Sequence, residues 1–486
     1  QHVKNIAEPV QVFRVRPGPA VAAAKARTRK SHRLVWRWPA TAAALLVVLA
    51  LGVAVWLRPW QSALQPAAVE VQAPPLPDKP SVAVLPFANL SNDPQQVYFA
   101  DGLAEDLMTG LSRLPGLFVI ARHSAFVYKD QKLDLRKVGE ELGVRYIVEG
   151  SVQRTGEQVR INVQLIDAGT LGHLWAEKYD GSMAEIFVFQ DRVTKSVVDA
   201  LAVKLTAGEQ RTLVGQNETT VPEAYDEFLQ GWDHFQRTKP ADFVAAIPHF
   251  ERAIALDPGY ARAQAGLAMV YFRAYDQHWT TSLGVTEDVA FRKAREHLKL
   301  ANAHPTSTSH QVAGNISRDR GWYDDAVKEF QAAIVLDPSD SWSYAYLAYS
   351  LIYAGKAAEG ERQIAIAMRL DPHFPSLFNF YLGLAQFEQN RMEEAAITLE
   401  RAVRLNPDDP WPFLFLAASR AHKKKKKEGA EAIAAFNSVR VKSGGVPVVM
   451  GELKGYHDMT PFVPPPGSPL LEGLHRLRVP DDFYSP

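Results

Sequence analysis

Three carboxylates stand close together at Asp101, Glu105 and Asp106. Such a cluster can hold a cation, but acids near the start of a helix are more simply read as solvated groups matched to its dipole. His304 and His310 have no partner at the i+4 spacing of a zinc-binding helix and read as ordinary loop residues. Gly150-Ser151 lies outside any G-x-S-x-G elbow, and neither a phosphate-binding loop nor a dinucleotide fingerprint occurs. The chain has no cysteine, which excludes disulfides, thiolate metal sites and cysteine nucleophiles. Lys423–Lys427 could dock anionic lipid or nucleic acid, yet five lysines between helical segments read best as a solvated turn. No catalytic, cofactor-binding or metal-ligating residue is therefore assigned. The side chains best suited to chemistry are aromatic: Trp342, Tyr349, Tyr353, Phe380 and Phe387. Aromatic rings supply large contact area at low entropic cost, which suits a groove for a protein or peptide ligand. Several of them could equally be core between helices.

The elements that would position these rings are helical and periodic. Leu256-Asp257-Pro258, Leu336-Asp337-Pro338, Leu370-Asp371-Pro372 and Leu405-Asn406-Pro407 mark one recurring point, the last three 34 and 35 residues apart. Ahead of each marker come a small, a large and a small residue: Ala246/Phe250/Ala253, Ala326/Phe330/Ala333, Gly360/Ile364/Ala367 and Ala395/Leu399/Ala402. Small residues let two helices approach, the large one fills the gap, and the Asx-Pro stops the second helix. The 80 residues from 257 to 337 leave room for one more unit with an insertion around Asp276–Asp288. A last pair near Trp411–Val439 lacks the proline and reads as a cap. Counted from the markers, the five aromatic candidates fall on first helices, where they would line a concave surface.

Ahead of the repeats the period changes. Ser81–Phe87 and Leu117–Ala121 read as strands, and Phe99–Leu114 and Leu133–Leu142 as helices. Arg145–Arg154, Gln158–Asp167 and Leu171–Tyr179 read as strands joined by Gly-containing turns, and Ile186–Leu205 as a closing helix. Residues 38–57 are twenty uncharged, mostly apolar residues flanked by Trp38, Trp56 and Trp60. A helix of that length covers about 30 Å, the thickness of a bilayer core. Lys25, Arg27, Arg29, Lys30, Arg33 and Arg37 precede it, which predicts a single membrane span with residues 1–37 cytoplasmic and 58–486 outside, in a bacterium periplasmic. The 54 basic and 54 acidic residues balance, which argues against a nucleic-acid partner. A chain beginning with Gln1 is expected to be processed or the back portion of something longer.

Residues 80–206 resemble the TolB amino-terminal-like domain. The matching residues are Lys79–Phe87, Tyr98–Leu107 (Tyr-Phe-Ala-Asp-Gly-Leu-Ala-Glu-Asp-Leu), Leu142–Val152 and Gln190-Asp191. The 34-residue period with Ala-x3-Phe and a closing proline resembles the tetratricopeptide repeat. His2–Val15, with Lys4-Asn5-Ile6-Ala7-Glu8-Pro9-Val10, resembles the final strand region of a class III nucleotide cyclase domain. These resemblances imply 1–16 as the end of a cyclase domain, 17–37 as a basic linker and 38–57 as the transmembrane helix. A Pro-rich linker (58–79) follows, then the TolB amino-terminal-like α/β domain (80–206), an all-α tetratricopeptide superhelix (222–440) and a Pro-rich tail (441–486). They further imply the sensory part of an adenylate or guanylate cyclase whose Mg²⁺ or Mn²⁺ belongs to a domain missing from this chain, and a possible homodimer. A CadC-type winged-helix regulator and a plain periplasmic scaffold are the alternatives.

Overall fold

The computed structural model describes residues 79–201, 219–442 and 469–477. The expectations for residues 1–37 and the span at 38–57 fall outside the described residues, as does the linker at 58–79 except for Lys79. Among the described residues, no helix is long and apolar enough to cross a membrane.

The first part is a sheet with helices packed on it. Its strands are β1 (Ser81–Val84), β2 (Ala88–Asn89), β3 (Phe118–Val119), β4 (Tyr146–Thr155), β5 (Gln158–Asp167) and β6 (Gly172–Ser182). Their order is β3-β1-β4-β5-β6, with β2 beside β4. β1 runs parallel to β3 and β4, while β4, β5 and β6 form an antiparallel meander. β1 is buried along its whole length, as its unbroken apolar run requires. On β5 the alternation Val159, Ile161, Val163, Leu165 puts one face in the core. The helices are α1 (Val97–Ser112), α2 (Arg122–Phe126), α3 (Leu135–Leu142) and α4 (Ile186–Ala200). The α3 helix is capped by Asp134, which accepts from the Arg136 and Lys137 amides, and stopped by Gly143 at φ 62°.

The second part is a stack of helix pairs. These are α5 (Pro222–Gln236) with α6 (Pro240–Leu256), α7 (Ala261–Asp276) with α8 (Glu287–Ala301), and α9 (Ser307–Asp319) with α10 (Tyr323–Leu336). They continue with α11 (Ser341–Tyr353) and α12 (Ala357–Leu370), α13 (Ser376–Glu388) and α14 (Met392–Leu405), and α15 (Trp411–His422) and α16 (Lys426–Lys442). The additional unit between residues 257 and 337 is present. Ala303-His304-Pro305 replaces its Asx-Pro marker, and a short 3₁₀ turn at Thr280–Leu283 occupies the insertion. His310 lies on α9 with Nδ1 2.7 Å from Glu329 Oε2, so the loop expectation for it is corrected.

Each pair turns on one left-handed residue two positions after its first helix. Thr238, His278, Gly321, Gly355, Asn390 and Lys424 all have φ between 54° and 76°. Gly321, Gly355 and Asn390 are types that favour this conformation, but Thr238 and Lys424 are not, so the sequence marks only some of these turns. The pairs pack as the small-large-small triplets require: Phe330 is fully buried, and a Cβ on Gly314 would come within 2.8 Å of its ring. A last helix, α17 (Pro469–Arg476), buries Leu470 and Leu474 against α15, with Gly473 pressed on Ala418. The stack therefore closes one helix beyond the pair read as its cap.

Candidate protein-interaction surfaces

The three acids of α1 are neither solvated nor gathered around a cation. Asp106 accepts from Tyr225 Oη at 2.6 Å, Arg262 Nη2 at 3.0 Å and Gln190 Nε2 at 3.0 Å. Glu105 accepts from Trp232 Nε1 at 2.9 Å and Arg122 Nε at 2.8 Å. Asp101 pairs with Lys129 and keeps Oδ1 buried without a hydrogen-bond partner among the described residues. Burial raises the pKa of both Glu105 and Asp101, against the pull of Arg122 and Lys129 respectively. The helix starts at Val97, so these acids lie beyond its first turn, on the face that meets α5 and α7. Beside them Asp226 accepts from Tyr98 Oη at 2.9 Å and Arg154 Nη1 at 2.5 Å. Close approach is possible because α1 has Gly102 there; a Cβ would come 2.5 Å from Leu229 Cδ2 of α5. Among the described residues, no group of three or more metal-ligating side chains could hold an ion.

This seam continues along the ends of the repeats. Thr109 and Ser112 donate to Asp337 at 3.3 and 3.4 Å, and Arg113 Nε donates to the Leu336 carbonyl at 2.7 Å. Ser124 donates to Asp371, His123 Nδ1 lies 3.1 Å from the same carboxylate, and the Ala121 amide donates to the Leu370 carbonyl at 2.8 Å. The His123 pKa is raised chiefly by its hydrogen bond to Asp371. Arg369 reaches back to the carbonyls of Gly143 at 2.8 Å and Leu142 at 3.3 Å. The seam thus uses the same Asp-Pro turns that end the second helices.

The aromatic candidates sit on α11 and α13, both first helices of their pairs. Phe387 is fully enclosed and Phe380 nearly so, each packed on Phe415 of α15 at ring distances of 5.4 and 5.8 Å. Their packing is that of core between neighbouring pairs. Tyr349 is also buried, 4.6 Å from the Tyr353 ring and 5.1 Å from Tyr381. Trp342, against Phe378 at 5.4 Å, and Tyr353, stacked on Tyr323 at 5.3 Å, remain partly open. Beneath the tyrosines Arg318 lies 5.0 Å from the Tyr346 ring and 3.6 Å from Asp276. Burial disfavours its charge, but Tyr381, Asp276 and Tyr346 outweigh that and raise its pKa. Nothing in the sequence period marks Arg318, because its partners come from three different helix pairs.

Residues 346–410 match the family described as tetratricopeptide repeat, and residues 78–196 match the second domain of HilA/YgeH-like transcriptional regulators. A putative adenylate cyclase 3 of Rhizobium meliloti (strain 1021) is 45% identical over 236 residues, which are 48% of this chain and 40% of that protein. The chain thus spans well under half the length of this curated relative. PilF of Pseudomonas aeruginosa shares 15% identity at a TM-score of 0.35, over 52% of this chain and 96% of its own. TolB of Acinetobacter baumannii shares 22% at a TM-score of 0.20, over 27% of this chain and 30% of its own. A mostly helical stack, of which residues 346–410 match the tetratricopeptide repeat, thus follows a small sheet region, and the chain is similar over about half its length to a protein named as an adenylate cyclase.

Proposed function

We propose that this chain is the sensory, protein-binding part of an adenylate cyclase-type signalling protein. The observation that carries the reading is the 45% identity to a putative adenylate cyclase 3, together with a repeat stack. Repeat arrays present extended interaction surfaces and rarely catalyse. In this reading a protein or peptide partner meets the repeats near Trp342 and Tyr353, the ring candidates that stay partly open. Residues 38–57 anchor the chain in the membrane, with residues 1–37 cytoplasmic and the described residues on the periplasmic side. Cyclisation of nucleotide, with its Mg²⁺ or Mn²⁺, belongs to a separate domain, and pairing of two such domains would make the protein a homodimer. Purified chain given ATP and Mn²⁺ is expected to yield cyclic AMP at background level. Cyclic AMP well above background would overturn this division of labour.

The match of residues 78–196 to HilA/YgeH-like regulators favours a second reading, a membrane-anchored regulator with a winged-helix head. The coding sequence upstream of Gln1 separates the two. Paired metal-binding aspartates support the cyclase reading, and a winged-helix sequence supports the regulator.

A further inference from the structure

Where α1 and α2 meet the end of α5, the seam opens into a cavity of about 390 Å³. That is within the roughly 300–1,000 Å³ of small-molecule sites, which favour domain junctions. Three cations line it, Arg122 and Lys129 from the sheet domain and Arg237 from the first repeat, against the carboxylates of Asp101 and Asp233. Phe126, Val97 and Pro94 give it an apolar wall. Lys129 is engaged by Asp101, and Arg237 by Asp233.

Arg122 is different. Its Nε is occupied by Glu105 at 2.8 Å and its guanidinium lies 4.0 Å over the Phe126 ring. Neither terminal nitrogen meets an acceptor among the described residues. The ring and the Glu105 bond hold the plane of the fork fixed, so two parallel N–H donors are already arranged for an oxyanion. We propose that this cavity binds a small organic anion, a carboxylate or phosphate ester with a compact apolar body. The Arg122 fork holds the head, Lys129 and Arg237 add charge, and Phe126, Val97 and Pro94 seat the body. Because its walls come from both domains, the bound anion stiffens the seam between the sheet and the repeats.

The site is independent of the partner and cyclase readings, and its test uses neither. The purified full chain is titrated calorimetrically with benzoate and phenyl phosphate, and with benzylamine as the cationic control, in a buffer free of carboxylate and phosphate. Saturable one-to-one binding of at least one anion, with none of benzylamine, is expected. Arg122→Lys keeps a charge beside Glu105 but removes the fork, and should weaken binding about tenfold or more, the loss of a charged hydrogen bond. Arg237→Gln, at the more open wall, should weaken it less while the fold is undisturbed. Hydrogen exchange with anion bound should slow at residues 94–101, 122–129 and 233–237 together. Absence of saturable anion binding, a preference for benzylamine, unchanged affinity in both variants, or protection confined to other segments would each overturn the proposal.

Discussion

The Asp-Pro turn after α12 and the Asn-Pro turn after α14 occupy the same place in consecutive repeats, yet their surroundings are opposite. Leu370 is 5% exposed and Asp371 is fully buried, holding Ser124, His123 and Ser341. Leu405 is 62% exposed, and among the described residues the Asn406 side chain accepts only the Asp408 amide, at 3.2 Å. Both turns stop a helix equally well. The difference comes from the sheet domain, which among the described residues reaches the turns after α10 and α12 and not the one after α14. One local motif thus has a helix-stopping role that any copy can perform and a docking role that depends on what lies opposite. The two kinds of contact also differ in their chemistry. Repeats join chiefly through apolar small-large-small packing, whereas the sheet meets the first repeat through apolar contacts such as Gly102 on Leu229 and meets the later turns through carboxylates, hydroxyls and carbonyls.

The largest effect should come from the apolar contact. Phe330→Ala removes a fully buried ring beside Gly314 and should cost about 3–5 kcal/mol in chemical denaturation. Asp371→Ala leaves Ser124 and Ser341 without their acceptor inside the seam and should cost about 3 kcal/mol. The matched change Asn406→Ala should cost only about 0.5 kcal/mol, as for an exposed site. Equal losses at 371 and 406 would break the distinction drawn between the two turns. Thr238 is β-branched in a left-handed turn, so Thr238→Gly should raise stability by about 1 kcal/mol. A fall in the denaturation midpoint would mean that its side chain holds the turn.

The smallest effect is the dependence on pH. The folded pKa of His123 is raised by Asp371, so its contribution is complete below the unfolded value. It is lost as pH rises through the folded value. The side chain is 46% exposed, so the gain should stay under about 1 kcal/mol. His123→Gln should flatten that decline when melting is followed from pH 5.5 to 8.5, and an identical profile would remove His123 from the seam's energetics.

Much of the local architecture was legible. The Asx-Pro stops and small-large-small triplets placed the second helices of the marked pairs, because one residue's effect on its own turn needs no distant partner. The strict alternation on β5 worked for the same reason. The pair that closes at His304-Pro305 was harder to see, since histidine replaced the marker and a 3₁₀ turn lengthened the unit. The helix at Arg122–Phe126 carries no periodic signal over its five residues. The aromatic candidates show the limit most plainly. Their positions on first helices could be counted, but whether Phe387 or Trp342 reaches solvent depends on α15 and its neighbours.

The sequence alone determined the repeat period, where most helices stop and which strand face is apolar, since these follow from steric and hydrophobic preferences of residues a few positions apart. Only the tertiary structure decided that Asp101, Glu105 and Asp106 would meet Lys129, Trp232 and Arg262, and that Asp337 and Asp371 would face the sheet domain. Most of those partners lie more than a hundred residues away. Such pairings leave no periodic trace in the chain, and arise only when burying both apolar faces brings the polar groups together and each must find a partner or lose its hydrogen bond to water.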